Sequence, residues 1–156
     1  MTGDAAIRID RATRDDAEAL LALMTRAHLP IDGLVSHLDD AIVARDGGRV
    51  VGSAAIEIYA DGGLLRSVAV DAGSRGTGLG VRLTEAAIED ARRRALPALY
   101  LLTTTAEHFF PRFGFECIRR DEVPASVQAS IEFREACPAS AIVMRKRLSA
   151  SRPTNS

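Results

Sequence analysis

The chain is predicted to fold as α/β (α+β): a mixed, mostly antiparallel twisted sheet of roughly six to seven strands, flanked by about four helices. Three observations predict it. Three β-rich segments succeed one another over 41–70, separated only by glycine turns. A glycine-rich loop at 72–80 then opens an amphipathic helix over 79–95. A short apolar run at 98–102 follows that helix, as a buried strand would.

The elements fall in order. Residues 6–10 alternate apolar and polar and read as a first strand. Thr13 stands where a helix cap belongs, with Asp15, Asp16 and Glu18 in the opening turns. Ala17, Leu20, Leu21 and Met24 form the apolar face of that helix. Residues 30–38 read as a short second helix or a loop. A strand at 41–45 turns at Asp46-Gly47-Gly48 into a longer strand at 49–59. Asp61-Gly62-Gly63 turns again into a strand at 64–70. Pro97 ends the long helix. A short helix near 106–112 leads to Phe113-Gly114-Phe115 and a strand at 115–119. A polar excursion with Pro124 and Pro138 precedes a last strand at 141–147. One domain is expected over 1–148, with a disordered polar tail at 149–156.

Composition narrows the function classes. The chain has 156 residues, of which 47% are hydrophobic and 26% charged, enough for a core and an ordinary soluble surface. Its formal net charge of −1 gives no basic field for nucleic acid or an anionic membrane. Lys146 is the only lysine among 20 basic residues. No apolar run reaches the roughly 20 residues a membrane span needs, and Met1-Thr2-Gly3-Asp4 carries no leader pattern. Cys117 and Cys137 make neither a metal-ligand pattern nor a disulfide framework. The expectation is a cytoplasmic protein without a metal.

The most specific stretch runs from Leu65 to Gly80 as a strand, a loop and a helix start. Its core is Arg75-Gly76-Thr77-Gly78-Leu79-Gly80. Such a loop aims several backbone N–H groups one way, and a helix N-terminus adds unpaired donors and a positive dipole end. Together they suit a pyrophosphate, and Arg75 adds a cation. Glycine permits close approach and positive φ. A ligand-free glycine turn is the plainer reading. The Lys-Ser/Thr pair of a nucleotide P-loop is missing, and no glycine follows Gly80 at the third position as a dinucleotide fingerprint requires.

These six residues resemble the Arg/Gln-x-x-Gly-x-Gly/Ala signature of the GNAT family of N-acetyltransferases. Ser67-Val68-Ala69-Val70-Asp71 resembles the family strand that pairs with the pantetheine arm. Residues 99–115 resemble its second block, which closes on a Gly-Phe pair, here Gly114-Phe115. Residues 101–110 are also similar to amino-acid acetyltransferases such as N-acetylglutamate synthase. Glu132-Phe133-Arg134 and 137–141 are similar to small acetyltransferases associated with arsenic-resistance operons.

The resemblance implies acetyl-CoA as cosubstrate, held in a splay between two central strands, and direct transfer of acetyl to an amine. Val68, Ala69 and Val70 would bind pantetheine through the backbone, although their side chains also suit a plain strand core. Arg75, Gly76, Thr77, Gly78, Leu79 and Gly80 would hold the pyrophosphate. The N–H of Val70 would face the developing oxyanion. Phe110 stands where many members carry a general-acid Tyr, and is expected beside the cofactor. Thr103 replaces the usual Asn, and Leu65 occupies the place of a Glu base found in some members.

Other residues are candidates to fill that acid–base gap. His108 serves as base or acid through its imidazole, or is a surface histidine. Glu57 accepts a proton through water, or is a solvated strand residue. Tyr59 is a weaker alternative acid. Arg66, inside an apolar strand, recognises a substrate carboxylate or makes a structural ion pair. Thr104 offers a hydroxyl to substrate or is ordinary strand material. His28 and His37 are expected at the surface. The expected partner is a small-molecule amine, an amino acid or analogue, with no nucleic acid and no membrane. The resemblance also implies a homodimer. The competing functions are a catalytically degenerate acyl-CoA-binding regulatory domain and a protein N-acetyltransferase.

Overall fold

The computed structural model describes residues 7–29, 31, 34–104, 106–130 and 141–148. The first strand, β1 (Ile7–Arg11), leads through a 3₁₀ turn at Arg14–Asp16 into α1 (Ala17–Arg26). A further 3₁₀ segment at Val35–Asp40 occupies the region read as a helix or loop. Next come β2 (Ala41–Asp46), β3 (Arg49–Tyr59) and β4 (Gly62–Val70), then α2 (Leu79–Arg93) and β5 (Ala98–Thr103). The chain continues through β6 (Glu116–Ile118), α3 (Ala125–Gln128) and β7 (Ile142–Arg147).

The seven strands make one sheet in the order β1-β2-β3-β4-β5-β7-β6. The β4–β5 pair is parallel and every other pairing is antiparallel. The parallel pair needs a crossover, and α2 provides it. Successive residues of a strand face opposite sides of a sheet, and the core divides accordingly. Ile56, Leu65, Leu99 and Met144 pack with Leu79, Leu83, Ala87 and Ala91 of α2. On the other face Val43, Ala55 and Ala69 pack with Leu20, Leu23 and Met24 of α1. Farther along that face Leu64, Tyr100 and Val143 meet Val127 of α3.

Beside one-residue shifts at the ends of β1, β2, β5, β6 and β7, three boundaries differ from the sequence reading. The helix expected near 106–112 is a turn followed by a 3₁₀ segment, Phe110–Phe113. Pro111 near its start and left-handed Gly114 at its end leave no room for α-helical bonds to accumulate. The long helix stops at Arg93, two residues before 95. The tight turn before β4 falls at Ala60-Asp61, so Gly62 and Gly63 already belong to the strand. The tail at 149–156 and the stretch 131–140 lie outside the described residues.

Asp16 ties the start of α1 to the sheet. Its carboxylate accepts the Thr13 N–H at 2.8 Å, and both Arg45 Nη atoms donate to it at 2.8 Å. These Arg45 hydrogen bonds pull the carboxyl down to about 2. A depressed carboxyl stabilises the fold above the unfolded value, near 4, and the effect is lost as pH falls through 2. Its size at neutral pH is about 2 kcal/mol. Asp16→Asn should therefore melt several degrees lower than the parent at pH 7. The gap should close as pH approaches 2, which paired thermal melts would show.

Candidate active site

The site begins with a break in the sheet. β4 pairs with β5 only at Gly63–Leu99 and Leu64–Tyr100. Beyond those pairs the two strands diverge. The cause lies on the opposite edge of β4, where its register with β3 shifts between Ser53 and Ala55. Ser67 absorbs the shift with φ +59°, a left-handed conformation unusual outside glycine. The Ser53 hydroxyl donates to the Ser67 carbonyl at 2.7 Å and holds this bulge. From Arg66 to Val70 the side of β4 that would face β5 has no strand beside it. Val68 and Val70 lie half-buried on this stretch, while Ala69 is buried against the α1 side.

The chain then turns at 71–78 into α2. The Asp71 N–H donates to the Val51 carbonyl at 2.7 Å, and the Thr77 hydroxyl donates to the Ser74 carbonyl at 2.7 Å. Gly78 caps the helix with φ +81°, a conformation that costs other residues strain. The first-turn N–H groups of α2 point out of the helix start. Here the surface closes into a pocket of about 290 Å³. Val70, Arg75, Gly76, Gly78, Leu79 and Gly80, all singled out in the sequence, line it. Thr77 is exposed on the same loop.

Four lining residues were not foreseen: Ser74, Val81, Phe109 and Arg112. Phe109 lies over the glycine loop, since a Cβ on Gly80 would stand 3.6 Å from its ring edge. Arg112 stacks on the Phe109 ring at 4.7 Å and donates to the Phe109 carbonyl at 3.0 Å. Arg75 and Arg112 thus place two cations around a cluster of backbone donors, the chemistry of an anion cradle. The signal for Phe109 and Arg112 was their three-residue spacing, which puts both on one side of a tight helical turn.

Phe110 points the other way. It is buried in the α2-side core, with edge contacts to Phe109 and Phe115. His108 reaches solvent: its side chain is 95% exposed, and Nε2 lies 3.8 Å from Glu107. Thr104 is exposed at the end of β5. Neither His108 nor Thr104 lines the pocket.

Glu57 and Arg66 meet on the sheet face away from α2. The Arg66 side chain has no exposed surface, and Nη1 donates to Glu57 Oε2 at 2.7 Å. Tyr59 and Ser130 hydroxyls each donate to Glu57 Oε1 at 2.6 Å. His37 Nε2 stands 4.0 Å from Oε2, on a half-buried ring. Arg66 Nε also donates to the Ser67 hydroxyl at 3.2 Å, so the cluster touches the bulge. Burial would raise the Glu57 carboxyl, but the Ser130, Tyr59 and Arg66 donors outweigh it and hold the carboxyl below its ordinary value. Burial, then the bond to Glu57, pushes the Tyr59 hydroxyl up to about 12. Sequence reading weighed Glu57, Tyr59 and Arg66 separately. His37 had been expected at the surface, and nothing local pointed to Ser130. Among the described residues no group of His, Cys, Asp or Glu is arranged to hold a metal, and no helix is long and apolar enough to cross a membrane.

Known proteins match this architecture. The family model for the acetyltransferase (GNAT) domain matches residues 37–117, which include the bulge, the loop and the Phe109–Arg112 turn. A Mycobacterium tuberculosis amino-acid acetyltransferase is 37% identical over 81 residues, covering 51% of this chain and 46% of that protein. The chain thus spans about half the length of this curated relative. A Neisseria gonorrhoeae N-acetylglutamate synthase, complexed with coenzyme A and N-acetyl-glutamate, superposes with a TM-score of 0.78 at 22% identity. That match covers 91% of this chain and 35% of the synthase. A Mycobacterium tuberculosis protein complexed with CoA and NLQ superposes at 0.73 with 24% identity, over 90% of this chain and 99% of the other. At such identities the structural likeness speaks for the fold, whereas the family match spans more than half of the sequence. The chain belongs to the GNAT acetyltransferase family.

Proposed function

We propose that the chain is an N-acetyltransferase that binds acetyl-CoA in the splay and passes acetyl directly to the amine of an amino acid or close analogue. The observation that carries this is the junction of the β4–β5 splay with the two-cation glycine pocket. A thioester arm laid along the free side of β4 would run out to a pyrophosphate at the start of α2. The resemblance to an amino-acid acetyltransferase and to N-acetylglutamate synthases supports the acceptor class.

In this reading Gly76, Thr77, Gly78, Leu79 and Gly80 present N–H groups to the pyrophosphate, and Arg75 and Arg112 balance its charge. Val68, Ala69 and Val70 meet the pantetheine through their backbone. The neutral amine attacks the thioester carbonyl, the C–N bond forms, the C–S bond breaks and coenzyme A thiolate departs. The Val70 N–H stabilises the oxyanion formed on the way. Phe110 offers no proton, so the thiolate takes its proton through water; His108 and Thr104 stand outside the pocket and are assigned no step.

Glu57 is assigned to positioning. A carboxyl already holding three donors and depressed below its ordinary value is a poor base at neutral pH. Arg66 reaches an acceptor carboxylate only by releasing Glu57. Its part is to anchor the bulge that opens the splay.

Three measurements test the reading. Thiol release from acetyl-CoA should depend on acceptor when amino acids, polyamines and an arsenic-containing amino-acid analogue are offered against a no-amine control. Release at the control rate throughout, with acetyl-CoA raising the melting temperature, would point instead to a binding domain without transfer. Acceptance of peptide N-termini alone would point to a protein acetyltransferase. Gly78→Val should strain the cap by about 1–3 kcal/mol and weaken acetyl-CoA binding at least ~10-fold; unchanged affinity by calorimetry would remove the loop from the site. Glu57→Gln leaves Arg66 buried without its counter-charge and should cost about 3–5 kcal/mol of stability. If Glu57 only positions, the pH dependence of kcat in the folded variant should keep its shape; loss of an acid limb would make Glu57 the base.

A further inference from the structure

We propose that Lys146 is an acylation site of this protein, its Nζ taking an acyl group from a phosphate-bearing acyl thioester such as acetyl-CoA. Lys146 is the only lysine in the chain. It sits on β7 opposite Leu99 and on the same side of the strand as Met144, the side that packs with α2. There it lines a groove of about 360 Å³ with Glu85, Glu89 and Arg92 of α2 and with Arg112 and Phe113. The amine lies against the Gly114 turn: a Cβ added there would stand 2.9 Å from Nζ.

Three features make this amine reactive. It has no hydrogen bond and no ion pair among the described residues. Desolvation and then the Arg92 cation hold it below the ordinary lysine value, which enlarges its neutral fraction near neutral pH. Glu85 and Glu89 on α2 and Arg112 beyond the groove are the other charged groups facing it. Arg92 and Arg112 are cations at the same groove, and Arg112 also lines the glycine pocket. A thioester carrying phosphates is therefore drawn to the rim where the amine waits.

The step balances without a further reagent. Neutral Nζ attacks the thioester carbonyl carbon and the N–C bond forms. The C–S bond breaks, the nitrogen proton passes through water to the thiolate, and acetyl-lysine and free coenzyme A remain. The product is uncharged, which leaves the groove with one cation fewer beside Arg92. The donor approaches from solvent, so the reaction does not rest on the acceptor proposed for the splay.

The test uses the full chain with acetyl-CoA at pH 7.5, no amine acceptor, and peptide mass mapping over time. One acetyl group should appear on the Lys146 peptide. Its rate should exceed, by at least ~3-fold, the rate for the same chain in guanidinium chloride, where the lysine is an ordinary one. Arg92→Gln should lower the native rate toward the denatured value, and Lys146→Arg should abolish the label without moving the melting temperature. Equal rates in native and denatured chains, or acetyl confined to the N-terminal amine, would overturn the proposal.

Discussion

Much of this structure depends on β4 being held in a bulge that neither of its neighbours would choose alone. Arg66 and Glu57 fix that bulge. Both are buried and paired at 2.7 Å; Tyr59 and Ser130 donate further to Glu57, and Arg66 donates further to Ser67. A buried ion pair adds little net stability, because desolvating two charges offsets most of their attraction. What it adds is discrimination among registers. Slipping β4 by one residue would send Arg66 to the α2 face, away from Glu57, and leave two unpaired charges in the core. The pair thus sets where Ser67 takes its left-handed turn, and Ser67 sets where β4 leaves β5.

That constraint explains why the pocket lies where it does. β4 ends free of β5, so the chain emerging from it approaches α2 with its backbone unpaired on one side. Gly78 lets the chain enter the helix in a left-handed conformation. The turn of Phe109 and Arg112 then closes over Gly80 from the far side of the opening. Two segments about 30 residues apart in sequence make one anion cradle because α2 and β5 fit between them. The aromatic residues divide the labour: Phe109 faces the loop, and Phe110 turns into the core, where it packs against Phe115.

Much of the fold was legible because it is written locally. Two β-rich apolar runs and the Asp46-Gly47-Gly48 turn define the β2–β3 hairpin within a window shorter than 20 residues. The glycine pocket was legible for the same reason, since its donors come from consecutive backbone positions. The 3₁₀ segment at Phe110–Phe113 was misread as a helix because its apolar spacing suits both forms over four residues, and Pro111 decided between them. The Glu57 cluster was not legible as a cluster. Its members come from the 3₁₀ segment before β2, from β3, from β4 and from just past α3. The hairpin register brings Arg66 opposite Ala55 and within reach of Glu57, and the shift between Ser53 and Ala55 follows just beyond that pair. No local pattern announces a bulge of that kind, since Ser67 is an unremarkable strand residue by type.

The same contrast bears on the chemistry. Backbone donors at a helix start cannot be lost by exchanging a side chain, whereas an acid or base can. In this chain the glycine loop and the helix start are present, whereas position 110 carries a phenyl ring buried in the core. Restoring a hydroxyl there would not by itself restore an acid. A tyrosine at 110 would place its oxygen among Phe109, Phe115 and the α2 core, where an unpaired hydroxyl costs about 1–3 kcal/mol. The ring would have to rotate out of the core toward the splay before its proton could reach a leaving thiolate. In the proposed reaction, transfer would rest on what the splay and loop impose: alignment of thioester and amine, charge balance at the pyrophosphate, and a leaving group stable enough to depart without a neighbouring acid.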